Sequence, residues 1–335
     1  YGEQVMKHVQ FGTYGGPEVL DVVEGPIPEP GPGQICIRAE AIGVGIPDIL
    51  MRTGNYAWIP PLPVVPGNEL AGTVSAVGEG VTTLLVGQRV YVNARELSQR
   101  GGCYAEYMVV PAEAVFALPD SLKAEHAVAL GNYQLAWLLL NIAATPKSGD
   151  DILVHAAAGG VGSALVQMAC AKGLNVSGVA GSEEKAHYVA ELGADTVIDR
   201  SRDSISERLM QRTDGTGANY IYDAVGGEDF AENFERLAPL GTLVMFGHIA
   251  GWPDPAILDP MRERFGASLG FRLFSIHVLD DMPDIRRHAM EEAIKVMASG
   301  AALPRIHTRM PLAKAADAHR LLESGDVIGK VVLTT

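Results

Sequence analysis

Cysteine is scarce in this 335-residue sequence. Only Cys36, Cys103 and Cys170 are present, and no two of them form a C-x-x-C pair. An odd number of dispersed cysteines provides no disulfide framework and is typical of a protein in a reducing cytoplasm. The nine histidines form neither an H-x-H nor an H-E-x-x-H pattern. The sequence therefore lacks the local spacing of a structural zinc site, and we expect no bound metal.

Positive charge and long apolar runs are also scarce. There are 26 Lys and Arg against 40 Asp and Glu, which gives a formal net charge of −14. This charge argues against a nucleic-acid surface and against adhesion to anionic membranes, and it favours a small uncharged or apolar substrate. The most apolar window, residues 127–144, contains Asn132, Gln134 and Asn141, so we expect a buried helix there and no membrane span. No basic segment followed by an apolar one opens the chain, so we expect no signal peptide.

The most informative stretch is residues 152–172, ILVHAAAGGVGSALVQMACAK. A short apolar run leads into a glycine-rich turn and then into apolar residues at helical spacing, which predicts a buried strand followed by a helix packed on it. The three positions of the G-x-G-x-x-G dinucleotide fingerprint are occupied by Ala157, Gly159 and Gly162. The second lets the backbone approach a pyrophosphate and the third lets the helix lie close to the strand. The first helical turn, with Gly160 and Val161, would bind the negative charge through its free N–H groups.

The segments around and after this turn favour a dinucleotide site over an ordinary strand–helix connection. Strand-like and helical segments alternate, and strands are predicted at residues 152–154, 176–180, 196–198, 220–223, 242–246 and 268–271. Six strands joined by crossovers predict a doubly wound parallel sheet of the Rossmann type. We place this domain at residues 126–272.

Residues 1–125 have the pattern of another fold class. Strand-like stretches at residues 19–23, 34–41, 71–77, 89–92 and 105–110 are broken by Pro and Gly. Such short strands are typical of a barrel-like β-rich domain and not of βαβ units. A helical segment at 124–143 joins the two domains. The last segment, 273–335, is predicted to contain helices at 283–299 and 312–323 and strands at 306–310 and 330–334, and its pattern does not decide which domain it joins.

Seven short motifs are spread over nearly the whole chain: YGGPEVL at 14–20, PDILMRTG at 47–54, PGNELAGTVSAVGEGV at 66–81, VHAAAGGVG at 154–162, ELGAD at 191–195, YDAVGG at 222–227 and GKVVL at 329–333. Together they resemble the zinc-free quinone oxidoreductase (zeta-crystallin-like) branch of the medium-chain dehydrogenase/reductase superfamily. The resemblance implies a GroES-like catalytic domain, completed by at least the end of the C-terminal segment, with NADPH in the cleft beside a Rossmann domain. It also implies a homodimer or a tetramer joined through the edge strand at 268–271.

The resemblance bears on the metal as well. Zinc-dependent relatives carry a Gly-His-Glu motif whose histidine is a ligand, whereas Gly67-Asn68-Glu69 places an amide at that position. The residue that matches their first cysteine ligand is not a cysteine. A catalytic zinc needs three protein ligands, so a reaction without zinc is implied.

The end of the second Rossmann strand bears on cofactor choice. NAD-selective sites carry an acidic residue there, and the matching residue is Ala180. Ser182 leaves room beside Ala180, and Lys185 lies one helical turn later. Arg200 matches a position that contacts the 2′-phosphate in relatives. An equal alternative is that Arg200 is only a solvated surface cation. The acidic pair at 183–184 opposes this interpretation unless it serves the helix dipole. We expect NADPH.

The reaction implied is hydride transfer from the nicotinamide to a quinone or a related enone, which needs no dedicated acid. Tyr56 raises an alternative, because it ends an R-x-G-x-Y stretch (52–56) similar to one in 2-enoyl thioester reductases, where the tyrosine donates a proton. The other interpretation is that Tyr56 lines the quinone pocket. A third hypothesis is a non-catalytic NADPH-binding protein.

The remaining candidate residues follow from the same resemblance. Gly45 stands where relatives have Asn, and Gln134 stands where many have a Thr facing the nicotinamide, so we expect a reshaped polar pocket. Its other candidate residues are Asp48, Trp58, Asn68, Tyr91 and Asn93. Phe246 and Gly247 are expected to approach the nicotinamide, and Lys330 to lie near the cofactor.

Overall fold

A computed structural model of the chain describes residues 5–335, so the first four residues of the predicted first domain lie outside the described residues. The strands are β1 (Val5–Gln10), β2 (Asp21–Pro26), β3 (Gln34–Val44), β4 (Glu69–Val77), β5 (Arg89–Asn93), β6 (Tyr107–Pro111), β7 (Val115–Ala117), β8 (Asp151–Val154), β9 (Asn175–Ala180), β10 (Thr196–Asp199), β11 (Ala218–Asp223), β12 (Leu237–Met245), β13 (Gly270–Leu273), β14 (Ile306–Pro311) and β15 (Lys330–Thr334). The α-helices are α1 (Ile46–Arg52), α2 (Ala124–Ala127), α3 (Leu130–Leu138), α4 (Gly160–Ala171), α5 (Glu183–Glu191), α6 (Ile205–Arg212), α7 (Asn233–Arg236), α8 (Leu258–Glu263), α9 (Pro283–Ala298) and α10 (Ala315–Glu323).

The chain divides into two compact units. The first extends to Gly131 and includes Ile294–Thr335, and the second is Asn132–Ala293. The sequence placed these boundaries at 125 and 272. Both observed boundaries lie inside helices, α3 and α9, whose periodicity continues across them and gives no boundary signal. Residues 273–293 thus belong to the second unit, and the rest of the C-terminal segment belongs to the first.

The second unit is built on a parallel sheet with the strand order β10-β9-β8-β11-β12-β13. Counted within the unit, this is the order 3-2-1-4-5-6 of the doubly wound dinucleotide-binding fold. Its strands are apolar runs because both faces of a parallel sheet are covered, and Leu153, Val179, Ile221 and Leu243 form the core. The Rossmann prediction is confirmed. Its switch point lies between β8 and β11.

The first unit contains a sheet with the order β14-β15-β3-β4-β5-β7, and β6 pairs with β3. Its pairs are antiparallel except β14 with β15. The C-terminal strand β15 enters this sheet beside β3, with Val331 opposite Val44. Buried Ile35, Ile42 and Leu70 pack in the core. This β-rich unit confirms the predicted GroES-like fold.

The apolar window at residues 127–144 forms α3 and a π-helical turn at Leu139–Ala143. Leu138, Leu139 and Leu140 are fully or almost fully buried there. None of the helices within residues 5–335 combines the length and the apolar character needed to cross a membrane.

Candidate functional site

The glycine-rich turn connects β8 to α4, and Gly159 is the N-cap of that helix. The N–H of Ser163 donates to the carbonyl of Gly159 at 2.9 Å. The N–H groups of Gly160 and Val161 precede this bond, as they do in the first turn of any helix. The N–H of Ala157 donates to the carbonyl of Val179 at 2.9 Å and so ties the turn to β9.

The two fingerprint glycines differ in the space around them. A Cβ on Gly162 would lie 2.1 Å from the carbonyl oxygen of Ala156 and 2.9 Å from the Cα of Ala157, both backbone atoms. A Cβ on Gly159 would meet its nearest neighbour, the same oxygen, at 3.3 Å. Gly162 is therefore required for the close approach of α4 to the turn, whereas the fold itself places a much weaker demand on Gly159.

The residues at the end of β9, Ala180 and Gly181, carry no charge, and the Arg200 side chain lies against them. Ala180 is buried, and the N–H of Arg200 donates to its carbonyl at 3.0 Å. A Cβ on Gly181 would lie 3.4 Å from the guanidinium of Arg200. Ser182 caps α5, its hydroxyl accepting from the N–H of Lys185 at 3.3 Å. The structure thus brings all the predicted 2′-phosphate residues to one end of β9.

Glu183, one of the two acidic residues that oppose an NADPH site, has its own partner. A carboxylate oxygen of Glu183 lies 3.6 Å from the guanidinium of Arg202, which also binds Asp199 at 3.1 Å. Glu183 and Arg202 are both exposed, so the pair is weak, but it gives the glutamate a counter-ion apart from Arg200.

A buried hydrogen-bond network that the sequence did not predict lies at the switch point of the Rossmann sheet. Asp223, at the end of β11, accepts the N–H groups of Val225 and Gly226 at 2.6 and 2.9 Å. The amide nitrogen of Asn233 donates to Asp223 at 2.8 Å. The amide oxygen of Asn233 must then accept from His155, at 2.8 Å. Burial lowers the pKa of His155, so the imidazole is a neutral donor.

This network also positions the predicted nicotinamide residues. The N–H of Phe246 donates to the carbonyl of Asp223 at 2.9 Å. A Cβ on Gly247 would lie 2.8 Å from the carbonyl oxygen of Ala224. The loop after β12 is therefore packed on the end of β11.

In the first unit, a buried cluster surrounds Glu69. One carboxylate oxygen accepts the Tyr91 hydroxyl at 2.9 Å and the N–H of Gly131 at 2.9 Å, and the other accepts Lys330 at 2.5 Å. The amide nitrogen of Asn93 donates to the Tyr91 oxygen at 3.2 Å. Burial is the main cause that raises the pKa of Tyr91 well above its ordinary value. Two predicted site residues, Tyr91 and Lys330, thus bind a carboxylate that the sequence did not single out, and Asn93 joins the cluster through Tyr91.

A second cluster surrounds Asp48 on α1. One carboxylate oxygen of Asp48 accepts the N–H of Gly45 at 2.9 Å, and the other accepts the amide nitrogen of Asn68 at 2.7 Å. The Tyr104 hydroxyl reaches Asp48 at 3.5 Å. Burial raises the pKa of Asp48 to about 6. Gly45, Asp48 and Asn68, predicted separately, therefore form one hydrogen-bonded group.

Two aromatic candidates lie together. The rings of Tyr56 and Trp58 pack edge to face with centroids 5.4 Å apart. Tyr56 is 9% exposed and Trp58 is 41% exposed, so the pair presents one buried and one accessible ring.

Gln134, in the second unit, is buried, and its amide nitrogen donates to the carbonyl of Arg286 at 2.8 Å. The sequence placed Gln134 in a reshaped polar pocket, where relatives have a Thr. In the structure its amide nitrogen binds the main chain of α9.

The described residues include no group of three or more His, Cys, Asp or Glu side chains arranged to hold a metal ion. Cys103, next to Tyr104, is fully buried. Burial, followed by the charges of Asp48 and Glu69, raises the pKa of its thiol well above the ordinary value.

Comparison with known proteins agrees with this geometry. Two family models match, the alcohol dehydrogenase GroES-like domain over residues 31–120 and the zinc-binding dehydrogenase over residues 160–284. A quinone oxidoreductase from Pseudomonas aeruginosa is 35% identical over 98% of this chain and 99% of its own length. The chain belongs to the quinone oxidoreductase branch of the medium-chain dehydrogenase/reductase superfamily.

Solved structures extend the family match to the fold. Escherichia coli quinone oxidoreductase complexed with NADPH is similar with a TM-score of 0.86 and 30% identity, over 98% of this chain and 100% of that one. An NAD-dependent alcohol dehydrogenase has a TM-score of 0.89 at 30% identity, over 98% and 99% of the two chains. The predicted branch is confirmed. Proteins named for NAD and for NADPH share this fold, so the fold alone does not determine the cofactor. The residues around β9 do.

Proposed function

We propose that this chain is an NADPH-dependent quinone oxidoreductase that also accepts related enones and works without zinc. The observation that carries the proposal is the uncharged end of β9, where the guanidinium of Arg200 lies against Gly181. The names of the family members, including an Escherichia coli quinone oxidoreductase complexed with NADPH, support the same reaction and cofactor.

The residues of the second unit fit this cofactor. The backbone approach at Gly162 leaves no room for a side chain, and the N-terminus of α4 would hold the pyrophosphate through its N–H groups and dipole. Arg200 and Lys185 would bind the 2′-phosphate, and Ala180 offers no carboxylate to repel it. Ser182 fixes the start of α5 and thereby the main chain that carries Lys185.

When bound, NADPH supplies a hydride from C4 of its nicotinamide. The chain's own part is to hold and orient the acceptor. Tyr56 and Trp58 provide apolar ring surface for a planar quinone, and Asp48 with Asn68 provides the polar group of the pocket. The oxygens of a reduced quinone can take protons from water, so no residue is required as an acid.

The proposal of zinc independence rests on residue types. Asn68 stands at the position that matches a histidine zinc ligand of metal-dependent relatives, and the residue that matches their first cysteine ligand is not a cysteine, so neither position offers an imidazole or a thiolate. The amide nitrogen of Asn68 already donates to Asp48. Carbonyl polarisation by a metal is therefore not part of the proposed reaction.

The test follows NADPH oxidation with 1,4-benzoquinone, with NADH as the alternative cofactor. Wild-type protein is expected to turn over with NADPH in strong preference to NADH. Replacing Arg200 or Lys185 by Ala removes a charge-assisted bond to the phosphate, so the KM for NADPH should rise about tenfold or more while NADH kinetics change little. The exposed Arg208 on α6 offers a matched Arg→Ala control.

Equal use of NADH and NADPH, or an unchanged preference in both variants, would refute the assignment of the phosphate site. Binding of NADPH, seen as quenching of its fluorescence, without oxidation by quinones, enones or enoyl thioesters would favour the non-catalytic hypothesis.

A further inference from the structure

A chain of buried polar side chains connects Asp48 to the C-terminal helix of the same unit. The Tyr104 hydroxyl lies 3.5 Å from Asp48 and 2.9 Å from Nε2 of His319. Nδ1 of His319 lies 3.2 Å from a guanidinium nitrogen of Arg52. Arg52 also pairs with Glu323 at 2.5 Å. The side chains of Asp48, Tyr104, His319 and Arg52 are buried. The proposed reaction assigns no role to the last three.

The hydrogen bonds in this chain can run in only one direction. A guanidinium is a donor and never an acceptor, so Nδ1 of His319 accepts from Arg52. Burial and the charge of Arg52 lower the pKa of His319 to about 3, so the ring is neutral and its single proton is on Nε2. That proton is donated to the oxygen of Tyr104. The hydroxyl proton of Tyr104 is then directed to Asp48.

Helix geometry fixes both ends of this chain of hydrogen bonds. Asp48 and Arg52 are four residues apart on α1, and His319 and Glu323 are four residues apart on α10, so each pair lies on one helix face. The Arg52 guanidinium also donates to the carbonyl of Gly15 at 3.0 Å. Arg52 is thus held by three groups, and His319 is held against it.

We propose that Tyr104 and His319 are positioning residues that keep Asp48 a hydrogen-bond acceptor, and that Asp48 thereby fixes the side-chain amide of Asn68. An ionised Asp48 accepts only, so Asn68 must direct its amide nitrogen to it, as observed at 2.7 Å. The amide oxygen of Asn68 is then directed away from Asp48 and is available to the hydroxyl that forms as the quinone is reduced. The inference rests on the proposed function, because it assigns Asn68 to the acceptor pocket.

The proposal predicts an acidic limb in the pH profile. The titratable or charged groups that face Asp48, directly or through the chain, come from five elements: Arg52 on α1, Glu69 on β4, Cys103 and Tyr104 before β6, His319 and Glu323 on α10, and Lys330 on β15. The cysteine and the tyrosine keep their protons because burial raises the pKa of each, and His319 stays neutral. Asp48, whose pKa is raised to about 6 by burial, is the group expected to titrate. Protonation of Asp48 lets the Asn68 amide reverse, so kcat/KM should fall below about pH 6.

Tyr104→Phe is the main test variant because it removes the hydroxyl and keeps the ring. Without that donor the ionised carboxylate loses stabilisation, so the pKa of Asp48 should rise by about half a unit or more. It is measured by carboxyl ¹³C NMR on the unliganded protein, and the acidic limb of kcat/KM for 1,4-benzoquinone should move to higher pH by the same amount. Tyr107→Phe, at a half-buried tyrosine on β6, is the matched control and should leave both unchanged.

Two variants of His319 test the direction of its hydrogen bonds. Gln carries an acceptor and a donor and can replace both ring nitrogens, so His319→Gln should stay near wild type. His319→Leu should shift the Asp48 titration in the same sense as Tyr104→Phe. Selective ¹⁵N labelling of histidine should show protonated Nε2 and bare Nδ1 in the wild type from pH 4 to 8.

Parallel shifts of the Asp48 titration and the kinetic limb support the inference. An Asp48 titration that is unmoved in Tyr104→Phe, or a His319 proton on Nδ1, overturns it. An NMR shift without a kinetic shift overturns the role in the reaction. Absence of quinone turnover in wild-type protein that still shows the NMR shift refutes the proposed function and leaves the hydrogen-bond chain supported.

Discussion

Tyr56 is the residue that separates quinone reduction from enoyl thioester reduction. A thioester leaves a carbanion after hydride addition and needs a proton from an acid, whereas a reduced quinone takes protons from water. In Tyr56→Phe the ring contact with Trp58 at 5.4 Å should persist, so quinone turnover should stay within a few-fold. Reduction of a short enoyl thioester should fall about 100-fold or more. The measurement is kcat/KM for both substrates with NADPH.

Losses of equal size on both substrates would contradict a proton-donor role and make Tyr56 a pocket wall only. Tyr107→Phe serves again as the control for the loss of a phenol hydroxyl within the same unit.

Sequence reasoning could find residues whose signal is local, and it missed those whose partners are distant. The fingerprint at 157–162 lies within one short segment and was predicted from its own pattern, whereas the residues at the end of β9 were assigned by comparison with relatives. Glu69 and His319 carry no such signal, because their hydrogen bonds join residues 261 and 215 positions apart. A buried histidine on an amphipathic helix has no feature in sequence that distinguishes it from a surface one. Only the fold brings α10 to α1.

At the scale of elements, the two fingerprint glycines make separable demands on α4. Gly162→Ala places a Cβ 2.1 Å from a backbone oxygen, so the helix must move and the unfolding free energy should fall by roughly 1–3 kcal/mol. Gly159→Ala meets the same oxygen at 3.3 Å and has φ −75, so stability should change by less than about 1 kcal/mol. Both should weaken NADPH binding, since a methyl group at 159 lies where the backbone meets the pyrophosphate.

Denaturant unfolding and NADPH fluorescence titration measure the two effects separately. Equal stability losses in the two variants would contradict the assignment of helix packing to Gly162 alone. Wild-type NADPH affinity in Gly159→Ala would show that the pyrophosphate does not approach the turn there.

The elements of the parallel sheet were predicted from apolar runs, and two of the elements that were missed, β7 and α1, are short. Each of the Rossmann strands was predicted because a buried parallel strand is a continuous apolar run. β7 has three residues and gives no usable period. α1 was not predicted; its seven residues are too few for a clear helical period, and the proline in its first turn is compatible with a helix.

At the scale of the whole molecule, the chain leaves its first unit and returns to it. The terminal strand β15 was predicted with its observed bounds, but its partner was not, because strand pairing across nearly 290 residues, such as Val331 with Val44, has no local signature. The resemblance to a known family supplied the return of the terminal strand. Physical reasoning on pattern alone left it open.

We propose that two copies of the chain associate through β13, the edge of the Rossmann sheet. β13 pairs with β12 on one side within the described residues, and an open edge with apolar side chains invites a further strand. Leu273 is 60% exposed at its end. Leu273→Lys places a charge in the proposed interface and should raise the dimer dissociation constant about tenfold or more. Sedimentation velocity over a range of concentrations measures it.

The matched control for the edge variant is Leu85→Lys, at a leucine of the first unit that is 73% exposed. Both substitutions add one positive charge to a net charge of −14, so a general electrostatic effect on association would appear in both. We expect wild type and Leu85→Lys to sediment as dimers and Leu273→Lys to shift toward monomer. A monomeric wild type, or a dimer unaffected by Leu273→Lys, would contradict the edge-strand interface. Because the hydrogen-bond networks described above lie within single units, quinone turnover per chain should survive dissociation.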